Sequence, residues 1–182
     1  MIITISGKAG SGKSTIAGML SRKLGLKHYS IGDLMRAMAN EKKISLIELN
    51  KLAEKDKSID IELDGKLKEL GKTRDNFVVD GRLTAFFIPN AKIRIFLEAD
   101  ENVRANRILN DKRANEKNLD LAETMENIKK REESEKIRYE EYYGVDYCDR
   151  ELYNYILNTT SLSPNEVIES ILQFIENFES NI

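Results

Sequence analysis

At 182 residues the chain can build one mid-sized domain and is too short for two full cores. Hydrophobic residues at 41% and charged residues at 33% exclude a disordered tail, and no run nears the roughly 20 apolar residues of a membrane span. Lys and Arg number 29 against 31 Asp and Glu, a net charge of -2 that disfavours a polymeric nucleic acid as partner. The single cysteine, Cys148, excludes an internal disulfide or a thiolate metal cluster. Met1 to Ile5 lead straight into a glycine-rich turn with no basic stretch or cleavage site, so a cytoplasmic protein is expected.

In chain order, Ile2, Ile3 and Ile5 with Thr4 form a β-branched run suited to a strand buried on both faces. Gly7 to Gly12 interrupt it, and a helix is predicted from Ser14 to Leu24, with Gly25 as its stop. His28-Tyr29-Ser30 is a short second strand. Residues 32–71 read as helix in three pieces, with Ser45 and Ser58 as starts. Phe77-Val78-Val79 is a buried strand ending at Asp80-Gly81, followed by an apolar loop at Phe86-Phe87-Ile88-Pro89. Ile93 to Leu97 form the next strand, and Asp100 is placed to cap a long charged helical region reaching Tyr143, broken around Asn110 to Asn118. Tyr155 to Asn158 is the last strand, and Ser163-Pro164 opens a final helix with face Val167, Ile168, Ile171, Leu172, Ile175 and Phe178. Strands alternating with helices predict an α/β fold with a five-stranded parallel sheet covered by helices on both faces.

Gly7-Lys8-Ala9-Gly10-Ser11-Gly12-Lys13-Ser14 matches G-x-x-x-x-G-K-[ST] between a strand and a helix, and Thr15 follows it. Glycines let successive N–H groups converge on a phosphate, and the helix that follows adds its positive end. Lys13 is the candidate for the β- and γ-phosphates and Ser14 for Mg²⁺. A regulatory GTPase would need N-K-x-D and D-x-x-G motifs, which are missing. A remodelling ATPase usually has more chain and paired acids after its second motif strand, where this chain has Asp80-Gly81-Arg82. Asp80, at a strand's carboxyl end, is a candidate for a Mg²⁺-bound water.

A kinase acting on a phosphorylated acceptor must offset the repulsion of two polyanions, which calls for arginines. Asp33 and Arg36 lie three apart, as do Arg104 and Arg107. Arg131, Glu135 and Arg138 fall within about 60° of arc on one helix, so two guanidiniums and a carboxylate can share a face. His28 is expected to be structural or exposed, and the tyrosines from Tyr139 to Tyr155 to pack onto the core.

These segments resemble the cytidylate (CMP/dCMP) kinases in their short archaeal form, over nearly the whole chain. The resemblance rests on Tyr29 to Arg36, Ala53 to Asp60, Asp80 to Leu83, Arg131 to Tyr139, Tyr143 to Asp146 and Asn158 to Pro164. It implies ATP-dependent, Mg²⁺-assisted phosphorylation of CMP and dCMP; charge and hydropathy add the expectation of no polymeric nucleic acid and no membrane as partner, and a monomer is expected. The resemblance also implies a core of 1–31, 76–109 and 144–182, an acceptor-binding segment of 32–75 and a lid region of 110–143. By position, Ser30, Asp33, Arg36, Asp60 and Arg82 would line the acceptor site, with Arg36 on the monophosphate and Arg82 helping to read the base. Arg107, Arg131 and Arg138 would gather the transferring phosphoryl, and Glu135 would face the acceptor's sugar. Lys8 stands where the family commonly has proline, and Glu135 where broader relatives have Asp. An adenylate kinase or a shikimate-kinase relative is the alternative within the fold; an ATP-binding regulatory or RNA-associated protein is the alternative outside it.

Overall fold

In the computed structural model, which describes residues 1–111 and 120–180, β-branched runs become strands and amphipathic runs become helices in strict succession. The order is β1 (Ile2–Gly7), α1 (Lys13–Leu24), β2 (Lys27–Ser30), α2 (Ile31–Glu41), α3 (Leu46–Lys55), α4 (Ser58–Thr73), β3 (Phe77–Asp80) and α5 (Thr84–Phe87). It continues with β4 (Ile93–Glu98), α6 (Glu101–Leu109), α7 (Leu121–Tyr143), a 3-10 turn at Arg150–Leu152, β5 (Tyr155–Asn158) and α8 (Pro164–Ser180). The expected break in the long charged region lies largely in 112–119, outside the described residues.

The five strands are all parallel, in the order β2-β3-β1-β4-β5. Alternate residues of each strand feed opposite faces. On one face Ile3, Ile5, Val78, Ile93, Ile95 and Leu97 pack against Ile16, Ala17 and Leu20 of α1 and Val167, Ile168, Ile171 and Ile175 of α8. On the other, Phe77, Val79 and Phe96 meet Leu83, Phe87, Ile88, Tyr139, Tyr147 and Tyr153. A satellite cluster joins α2, α3 and α4 through Met35, Ala39, Leu46, Leu49, Ala53, Ile59 and Leu63.

Helix ends follow local chemistry. Ser45 and Glu48 form a reciprocal capping box at α3, and Ser163 and Glu166 exchange the same pair of bonds at α8. Three local expectations are corrected. Ser58 is the first residue of α4 and not its cap: Lys57 holds the cap position, and the Ser58 N–H donates to the Asp56 carboxylate. Asp100 occupies the cap position of α6 without a side-chain capping bond. The apolar stretch after Arg82 is not a loop throughout, because Thr84–Phe87 winds into the single turn α5 and buries Phe87 and Ile88 under the sheet.

This strand order puts β1 between β3 and β4, with Ile5 opposite Asp80 in register. The carboxyl ends of β1 and β3 therefore open side by side, at the crevice where ligands of such sheets bind.

Candidate active site

β1 ends in the glycine loop. Gly7, Gly10 and Gly12 all have positive φ, and Cβ atoms on Gly7 and Gly10 would run into the backbone carbonyls of Leu97 and Arg104. Only glycine allows the loop to turn and lie this close to its neighbours. Its carbonyls are held from outside: Arg82 Nη1 donates to Gly7 O at 2.9 Å and Arg104 Nη1 to Ala9 O at 3.0 Å. Lys13 Nζ reaches back to Lys8 O at 2.7 Å. Burial, with the positive charge of Arg82 nearby, pushes the Lys13 ammonium well below its ordinary pKa.

A cleft of about 740 Å³ opens above the loop. One half is bounded by Gly10 to Ile16, Asn106, Arg107, Thr159 and Leu162, and the other by Met35, Arg36, Asp60, Leu63, Asp64 and Leu67. Between them stand Asp80, Arg82, Arg131, Glu135 and Tyr139.

Glu135 organises this centre. Its carboxylate accepts from Arg82 Nε at 2.6 Å and from Arg131 Nε at 3.0 Å. Burial alone would raise its pKa, but the two guanidiniums win and hold it at about 2. Burial opposes the charge on Arg82 as well, and Glu135 more than compensates, so its pKa lies above the ordinary arginine value. Arg82 Nη2 is buried and has no hydrogen-bond partner among the described residues, a donor without an acceptor in a cleft wall.

The carboxyl end of β3 carries Asp80, whose Oδ2 accepts from Ser14 Oγ at 2.7 Å and from Ser30 Oγ at 3.3 Å. His28 Nε2 meets its Oδ1 at 2.7 Å. The lone histidine, expected to be structural or exposed, is thus a direct partner of a cleft acid.

The other anticipated residues divide. Arg36 lines the cleft and pairs with Asp33 at 2.5 Å, while Asp33 lies outside the lining at an exposed position. Ser30 caps α2 through the Asp33 N–H and is likewise outside the lining, as are Gly7 and the exposed Lys8. Arg107 lines the first half of the cleft and grips Thr159 through Oγ1 at 3.0 Å and O at 2.7 Å. Arg138 does not line the cleft. It is 1% exposed and bonded to Asp60 Oδ2 at 2.9 Å, Asn50 O at 3.0 Å and Ser134 Oγ at 2.9 Å, joining α7 to α3 and α4. Arg82, expected near the base, lies against the phosphate loop.

Two residues named from the sequence have tasks it does not reveal, His28 as the partner of Asp80 and Arg104 as a clamp on the loop; Asp64 in the cleft lining goes unnoticed in it altogether. Asp64 had a visible signal, since Asp60 and Asp64 sit one helical turn apart.

The family model described as "Cytidylate kinase-like family" matches residues 2–161. The cytidylate kinase of Natronomonas pharaonis is 44% identical over 168 residues, covering 92% of this chain and 85% of that protein. That of Methanobrevibacter smithii is 40% identical over 172 residues, covering 94% and 96%. Among solved structures, a shikimate kinase from Bacteroides thetaiotaomicron superposes with a TM-score of 0.67 at 16% identity, covering 97% of this chain and 98% of that one. A gluconokinase from Sinorhizobium meliloti gives 0.66 at 15% identity, covering 98% and 93%; at such identities the likeness is one of fold. With the family model spanning the loop, the arginine centre and β5, this chain belongs to the cytidylate kinase-like family.

Proposed function

We propose that this protein transfers the γ-phosphoryl group of ATP to CMP, and to dCMP, in line across the cleft. One observation carries the reading: Lys13, Arg82 and Arg131 converge beside the glycine loop, with the single carboxylate of Glu135 holding both guanidiniums. Three cations against the two carboxylates of Glu135 and Asp80 leave a net positive centre between the two halves of the cleft. Membership of a family whose named relatives are cytidylate kinases supports the choice of acceptor.

Each residue then has a physical task. The loop N–H groups and the start of α1 hold the donor's phosphates, and Lys13 exchanges its carbonyl partner for phosphate oxygens. Arg82 turns its unpartnered Nη2 to the transferring group, and Arg131 neutralises the charge spread over that group in the transition state. Arg107, fastened to Thr159, borders the donor nucleoside, and Arg36 holds the acceptor's phosphate. Arg138 acts through Asp60, seating α7 against the acceptor half. A phosphate monoester oxygen is already anionic near pH 7, so no general base is needed.

Ser14 Oγ and Asp80 Oδ2, 2.7 Å apart, are hard oxygen donors that fit Mg²⁺. Among the described residues no group of three or more His, Cys, Asp or Glu gathers to hold a metal outright, which suits a cation arriving with nucleotide phosphates. Bound there, Mg²⁺ would neutralise charge on the transferred phosphoryl; Ser14 would ligate it directly and Asp80 through water.

The test is an acceptor panel of CMP, dCMP, UMP, AMP and shikimate with ATP, repeated with Arg131→Ala. CMP and dCMP should lead, and the variant should lose about 100-fold in kcat with little change in KM. A lead for AMP or shikimate, or a loss confined to KM, would overturn the assignment.

A further inference from the structure

The acceptor half holds two carboxylates with different duties. Asp60 is spent on Arg138, an ion pair that docks α7. Asp64, one turn further along α4, is 8% exposed, lines the same cleft and accepts a hydrogen bond from the neutral hydroxyl of Tyr143 on its Oδ2. No ion pair reaches it among the described residues. An unpaired buried carboxylate is costly, and it persists most readily where a ligand supplies the missing donor.

Its place in the cleft says which part of a ligand that would be. Arg131 and Tyr143 are twelve residues apart on α7, about 18 Å along the axis, a span shortened because helical side chains lean back toward the N-terminus. Asp64 is tied to the Tyr143 end, and Arg82, Arg131 and Lys13 to the phosphate-loop end. Met35, Leu63 and Leu67 line the cleft beside it, an apolar slot with an acceptor at its margin.

Resting on the assignment of a nucleoside monophosphate acceptor, we propose that Asp64, steadied by Tyr143, is the specificity residue that accepts the exocyclic amino hydrogen of cytosine and repels the carbonyl oxygen of uracil. A carboxylate offers only acceptors, cytosine presents a 4-amino donor, and uracil presents an acceptor at that position. Facing O4 of uracil, the carboxylate would be desolvated against another acceptor, which costs more than a missing contact.

The experiment measures kcat/KM for CMP and UMP with ATP, together with equilibrium binding of each monophosphate without donor, for wild type, Asp64→Asn and Asp64→Ser. Wild type should favour CMP over UMP, and in both variants the CMP-to-UMP ratio should fall by about 10-fold or more, in binding as in turnover. A wild type that prefers CMP, with variants that lose both substrates equally or keep the ratio, overturns the role of Asp64 and leaves the kinase assignment standing. A wild type indifferent between CMP and UMP, or inactive on both, overturns the acceptor assignment itself. Asp64→Ser covers the event that Asp64→Asn does not fold.

Discussion

The imidazole of His28 meets the Asp80 carboxylate at 2.7 Å, bonding the oxygen opposite the one that Ser14 and Ser30 occupy. Asp80 is 2% exposed and carries three polar partners, so its carboxylate has one orientation. Removing the imidazole leaves the buried Oδ1 without that partner and lets the group turn. His28→Leu should raise the Mg²⁺ concentration needed for half-maximal turnover and lower kcat about 5- to 10-fold, in line with a lost hydrogen bond of about 1–1.5 kcal/mol. His28→Gln, whose amide can donate to the same oxygen, should recover most of this. A Mg²⁺ titration at fixed ATP checks both, and an unchanged midpoint in His28→Leu would remove the histidine from the site.

Glu135 couples activity to acid stability. Its folded pKa of about 2 lies below the ordinary 4.5, so the stability it contributes is complete above about pH 4.5 and is lost as pH falls toward 2. Glu135→Gln leaves the buried Arg82 and the half-buried Arg131 without their shared anion, at a cost of about 3–5 kcal/mol. The variant should melt lower at pH 7, and its melting temperature should fall less steeply than wild type between pH 5 and 3. Parallel melting curves across that window would contradict the ion-pair role.

Asp64 has the opposite sign. Burial pushes its pKa up to about 6, while the Tyr143 hydroxyl, Lys68 on α4 and Arg138 on α7 work against burial and Asp60 works with it. A folded pKa above the unfolded value of 3.8 means a contribution that is favourable at low pH and lost as pH rises through about 6. Asp64→Asn should therefore raise the melting temperature at pH 7.5, with the gain shrinking to nothing below about pH 4. A variant that is more stable yet less able to separate CMP from UMP would place the carboxylate among groups kept for function at the expense of the fold.

Much of this architecture is legible in the sequence because its causes are local. The glycine loop is eight consecutive residues, the strands are short β-branched runs, and Ser45 and Ser163 announce their helices within four positions. The charged centre is less legible, because helical spacing says which residues share a face and not which partner consumes them. Arg131, Glu135 and Arg138 do share a face of α7, but Asp60 and Asn50 take Arg138, and Arg82 comes from 53 residues away to meet Glu135. His28 reaches Asp80 only because β2 pairs with β3, a neighbour relation that no local pattern on either strand encodes.

Gly10 tests whether the cradle depends on close approach or on flexibility. Its φ of +76° already disfavours a side chain by about 1–2 kcal/mol, and a Cβ there would meet the backbone carbonyl of Arg104 on α6. Backbone cannot step aside as a side chain tip can, so Gly10→Ala must push the loop from α6 and stretch the Arg104 bond to Ala9 O. ATP affinity should drop at least 10-fold, with CMP binding in the absence of donor little changed, because Arg36, Asp60 and Asp64 stand on other elements. Gly65 is the contrasting position: it lies inside α4 with open space where its Cβ would point. Gly65→Ala should stabilise the fold by about 1 kcal/mol through helix propensity and leave ATP affinity unchanged. If the two alanines lowered ATP affinity alike, the loop's hold on phosphate would not reside in its contact with α6.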